Sequence, residues 1–166
     1  MRRLLLIVAS FFFFSLQILA QSTAPVITAT TVTGNMSACI GTAAASPSIQ
    51  QFYVSGSALT SAVTATAPTG FEISLNAGSG YSSSLTLNQY SGNLGLYIIY
   101  IRSAAGDPVG SISGNVVLSS AGIANVNITV GGTVNALPIA NHVPNQTVTA
   151  GTATTAINFI PQLTAS

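Results

Sequence analysis

The residues able to do chemistry in this chain are few, and each is quickly weighed. Cys39 is the single cysteine, so it has no partner for an internal disulfide. A nucleophilic cysteine needs a nearby base. The single histidine, His142, lies about a hundred residues further on, between Asn141 and Val143. Cys39 therefore reads as a small, partly buried residue near a strand end, and His142 as a solvated linker residue. A metal site needs several ligands of like kind, and neither residue has such company in the sequence.

Glu72 and Asp107 are the only carboxylates. A glycosidase needs a pair of them facing one sugar, whereas Glu72 falls on the polar side of an alternating strand and Asp107 precedes Pro108 in a turn. Calcium favours several carboxylates at once, so a loop holding Asp107 alone is a weak candidate. Arg102 ends an apolar run and is placed to pair with Glu72 or Asp107 across the surface. No cofactor and no catalytic group is expected.

The tyrosines offer more. Tyr53, Tyr81, Tyr90, Tyr97 and Tyr100 are scattered over the body of the chain, and an outward tyrosine on a β face stacks on sugar rings. Tyr97 and Tyr100 are the candidate glycan contacts. They have opposite parity in a regular strand, so both face outward only if a bulge intervenes. Asn35-Met36-Ser37, Asn127-Ile128-Thr129 and Asn145-Gln146-Thr147 match the glycan acceptor pattern, a weak signal in a chain so rich in Asn, Ser and Thr. The glycines at Gly78, Gly80, Gly131 and Gly132 are followed by no helical pattern, which excludes a phosphate-cradling loop.

Charge narrows the classes further. The 166 residues hold three basic and two acidic side chains, 3% charged, against about 25% in an ordinary soluble domain. Such a chain has no electrostatic footprint for nucleic acid or an anionic membrane. Arg2 and Arg3 open the chain, and a mostly apolar run follows from Leu4 to Leu19, broken by Ser10, Ser15 and Gln17. This is the pattern of a cleaved secretory signal helix over residues 1–20, with Ala20 and Gln21 flanking the cut. The expected location is outside the cell or on its surface, with no membrane contact once the leader is removed.

The remaining chain must supply the elements that position these residues. Helical periodicity is absent. Short alternating runs separated by turn residues recur about every ten residues, the signature of a sandwich or barrel. Strands are expected at Val26 to Val32, Ile49 to Ser55, Ala62 to Thr66, Phe71 to Leu75, Ser84 to Leu87, Leu94 to Arg102, Asn115 to Ser119 and Asn125 to Val134. Phe52 and Val54, Phe71, Ile73 and Leu75, Leu85 and Leu87, Ile99 and Ile101, Val116 and Leu118, and Val126, Ile128 and Val130 are the expected inward residues. No fixed short repeat supports a solenoid. The expected fold is an all-β, immunoglobulin-like antiparallel β-sandwich of seven to eight strands over residues 21–136. Residues 137–166 read as a linker and the truncated start of a second β module, too short to bury a core alone.

The run Ala45 to Leu59 with Gln50-Gln51-Phe52-Tyr53-Val54, then Ala67-Pro68-Thr69-Gly70-Phe71-Glu72-Ile73-Ser74, Tyr100-Ile101-Arg102, Gly114 to Gly122 and Val130-Gly131-Gly132-Thr133-Val134 resembles the immunoglobulin-like repeat modules of large secreted and surface proteins of Bacteroidota-type bacteria. The similarity spans Pro25 to Asn135. Pro144 to Val148 with Thr154 to Phe159 resembles the opening of a PKD-like repeat. The resemblance implies a modular stalk or adhesin and a structural role for Arg102. The function expected is that of a non-catalytic spacer or adhesion module, whose partners are neighbouring domains of the same polypeptide and an extracellular polysaccharide or surface ligand. The alternatives are a carbohydrate-binding module using surface tyrosines and an accessory domain of a larger secreted enzyme.

Overall fold

A computed structural model describes residues 23–138 and 150–151. The expected signal helix with Ala20 and Gln21, His142, Asn145 and the stretch resembling a PKD-like opening lie outside the described residues. Nine strands form among those described: β1 (Val26–Ala29), β2 (Ser37–Cys39), β3 (Gln50–Ser57), β4 (Val63–Thr66), β5 (Phe71–Ser74), β6 (Ser84–Leu87), β7 (Leu94–Ser103), β8 (Gly110–Ser119) and β9 (Val126–Asn135). They make two sheets, a four-stranded one in the order β1-β3-β7-β5 and a five-stranded one in the order β2-β9-β8-β4-β6. The fold is all-β and sandwich-like.

One core joins the sheets. The four-stranded sheet contributes Phe52, Val54, Ile73, Ile99 and Ile101, and the other Val63, Ala65, Leu87, Val116 and Leu118, each at 1% exposure or less. Less buried residues alternate with them (Tyr53, Glu72, Tyr100, Thr64, Thr86 and Val117), so each strand turns one face to the core. Burying a large apolar side chain contributes about 1.5–3 kcal/mol.

Two features depart from the expected antiparallel set of seven to eight. There are nine strands, and β2 runs parallel to β9, pairing Ser37 with Thr133, Ala38 with Val134 and Cys39 with Asn135. Only Ala38 of β2 is buried, so three residues carry no readable period. The first strand ends at Ala29 rather than Val32, and the chain then crosses from one sheet to the other. β8 starts at Gly110, five residues before the expected start, and pairs in unbroken register with β9.

Leu75 is exposed at 45%, not inward. The strand stops at Ser74, whose side chain is buried because its Oγ donates to the Ser79 carbonyl and accepts the Asn76 N–H at 3.0 Å. That local turn takes over from the ladder, so the alternation ends one residue early.

Candidate functional site

The polar chemistry converges on the outer face of the four-stranded sheet. β5 and β7 place Glu72 opposite Arg102 and Ser74 opposite Tyr100, and β3 and β7 place Gln51 opposite Tyr100 and Tyr53 opposite Ile98. Residues in register share a face, so Tyr53, Tyr100, Arg102 and Glu72 lie on one surface.

Of the two partners expected for Arg102, the fold selects Glu72. Arg102 Nη2 stands 2.7 Å from Glu72 Oε2, and Nε donates to the same oxygen at 2.8 Å. The guanidinium also lies over the Tyr81 ring, 4.1 Å from its centroid, a cation–π contact. Tyr81 in turn donates to the Ala77 carbonyl at 3.1 Å. Burial pushes the Tyr81 phenol above its ordinary value of 10.0; Arg102 opposes this, while Tyr100 and Glu72 add to it. Sequence reasoning missed Tyr81 here because its place over Arg102 depends on the loop after β5 folding back, which no local pattern announces.

The two candidate glycan contacts do not share this face. A bulge is present, but it lies between Leu94 and Tyr97: those three steps of β7 oppose the two steps from Gly56 to Val54 of β3. From Tyr97 onward β7 alternates regularly. Tyr97 is opposite the buried Val54 and packs beside the core, its hydroxyl donating to the Asn88 carbonyl at 3.4 Å. Tyr100, on the outer face by register, is also half-buried against the edge of the core, and it walls a groove of about 270 Å³ with Thr33, Gly34, Ser46, Pro47, Ile49, Gln51 and Ala77. None of these carries a charge.

The other candidates are dispersed. Cys39 is exposed on β2 rather than partly buried, because Ala38 takes the inward position of that strand. Asp107 sits against Gly70, where a Cβ would meet its Oδ1 at 2.5 Å; Gly70 has a positive φ of 84°, so glycine suits both the turn and the space. Asp107 Oδ2 is buried and has no hydrogen-bond partner. Among the described residues no three His, Cys, Asp or Glu side chains gather as a metal set. Asn35 and Asn127 of the acceptor patterns are exposed, and Tyr90 stands at 85% exposure in a tight turn.

The chain matches no family model, no curated protein and no solved structure.

Proposed function

We propose that this protein is a non-catalytic, immunoglobulin-like module that acts as a spacer in a secreted or cell-surface polypeptide. The immunoglobulin-like assignment rests on strand order. In chain order β1, β3, β4, β5, β7, β8 and β9 take the places of strands A to G, so that A-B-E-D and G-F-C form the two sheets. β2 and β6 are additions at the edges of the second sheet. The export assignment rests on the leader pattern of residues 1–20.

The observation that carries the spacer reading is the direction of the terminal strands. The chain enters along β1, continues into β2, and β2 runs parallel to β9. Entry and exit are at opposite ends: β3 starts at Gln50, beside Gly131 near the end of β9, and finishes at Ser57, which pairs with Val26, so the two are separated by the length of a ten-residue strand, about 33 Å. A module built this way adds its own length to an array. Glu72 is engaged by Arg102, and Asp107 sits beside Gly70 at the far side of a turn. The test is a spin-label distance between Val26→Cys and Asn135→Cys in a Cys39→Ser background. A separation near 30 Å supports the spacer; labels within about half that distance contradict it.

A second reading, carbohydrate binding, has one observation in its favour: the uncharged groove walled by Tyr100. It predicts polysaccharide affinity lost in Tyr100→Ala and kept in Tyr97→Ala. A glycan array with no signal ends it.

A further inference from the structure

We propose that the open edge of β9 at Asn127–Thr129 takes up an extended, uncharged peptide strand from another polypeptide. β8 and β9 pair without a bulge from Gly110 opposite Val134 to Leu118 opposite Val126, so alternate residues of β9 turn their N–H and C=O groups away from β8. Two bonds fix which residues these are. The Thr133 N–H goes to the Met36 carbonyl at 3.1 Å, and the Gly131 N–H goes to Gln50 Oε1 at 3.2 Å. The odd-numbered residues therefore face outward, and Thr129 and Asn127 continue the row. Among the described residues, no partner meets their backbone groups: β2 pairs with β9 only at Thr133 to Asn135.

A groove of about 300 Å³ is lined by Val126, Asn127, Ile128 and Thr129 on one side and by Ala29, Thr30, Thr31 and Val32 on the other. None of these residues is charged, so an ionised ligand would find no counter-charge there. The Gln50 side chain shows what the edge accepts. One step further along β9 its carboxamide takes the Gly131 N–H and donates to the Gly34 carbonyl at 3.4 Å, standing where a peptide group would stand. A strand pairing at Asn127 and Thr129 continues that row, as in strand addition to an open sheet edge.

The probe is an acetylated and amidated hexapeptide of alternating Thr and Val, titrated into the full chain and followed by amide NMR. Shift changes confined to Val126–Thr129 and Ala29–Val32 are expected. At ten times Kd, hydrogen exchange of the Asn127 and Thr129 amides slows about tenfold. Asn127→Pro removes an outward N–H without breaking the β8 ladder, an edge position where proline is tolerated, and binding is expected to be lost; Asn127→Ala keeps it. The same peptide N-methylated at alternate residues is expected not to bind. The proposal is overturned by an absence of shifts at millimolar peptide, by equal binding to folded Asn127→Pro, or by equal binding of the N-methylated peptide. It also falls if both amides already exchange slowly in the free protein, which places the chain itself on the edge, or if dimerisation slows them, which places a second copy there.

Discussion

Gln50 of β3 reaches across the sandwich to β9: its Oε1 accepts the Gly131 N–H at 3.2 Å while its Nε2 donates to the Gly34 carbonyl at 3.4 Å. The four-stranded sheet thereby satisfies an edge donor of the five-stranded one through a single side chain. Replacing it leaves Gly131 without a partner in a half-buried position. Gln50→Leu is predicted to destabilise the fold by about 1–2 kcal/mol, measured by urea denaturation. No change in midpoint would mean that water replaces the amide at no cost.

The parallel pairing of β2 with β9 depends on a close approach. A Cβ on Gly132 would lie 2.8 Å from Met36 Cβ and 2.9 Å from the Met36 carbonyl oxygen, and Met36 is buried at 4% exposure. Gly132→Ala is predicted to push β2 outward, at a cost of about 1–3 kcal/mol, and to speed hydrogen exchange at Thr133. Unchanged exchange there would show that the strands have room to spare.

Phe52 is the largest fully buried side chain, and no disulfide reinforces the core around it, since Cys39 is the single cysteine and is free. Phe52→Ala is predicted to cost about 3–5 kcal/mol, a large share of the stability of a domain this size. A loss below 1 kcal/mol by calorimetry would mean that the core collapses into the gap.

The Arg102–Glu72 pair is about one-third exposed, 28% and 32%. Solvent screening limits it, and a double-mutant cycle with Arg102→Met and Glu72→Gln is predicted to give a coupling below about 1 kcal/mol. A spectroscopic readout accompanies it. The folded Tyr81 phenol titrates above its unfolded value because burial favours the neutral form. Its contribution to stability is fully present below pH 10.0 and is lost as pH rises through the folded value. Arg102→Met removes the charge that opposes the shift, so the ultraviolet titration of Tyr81 is predicted to move further up. A downward move would contradict the stacked geometry.

Much of the fold was legible because alternation is a local property. Phe52 and Val54, Ile99 and Ile101, and Val116 and Leu118 occupy the inward positions that their spacing implies. Strands stayed hidden where pairing, not pattern, makes them. β2 has one buried residue, and the first half of β8, Gly110 to Gly114, is held by β9 rather than by its own apolar content. The site was less legible for the same reason. The Tyr97–Tyr100 pairing turned on where a bulge falls, and the bulge sits at Gly95 and Leu96, set by the register with Gly56. Tyr81 over Arg102 and Gln50 on Gly131 are contacts between distant segments that no motif encodes.

The spacer account is tested most directly by pulling the full chain from its two ends in a single-molecule force experiment. β2 and β9 run parallel, so drawing the two ends of the chain apart loads the bonds between them together, in shear. The account predicts one discrete unfolding event that releases the sandwich as a unit, with a gain of roughly 350 Å from about 110 residues at up to 3.6 Å each, and a lower unfolding force in Gly132→Ala. Gradual extension without a step, or a force unaffected by Gly132→Ala, would contradict it.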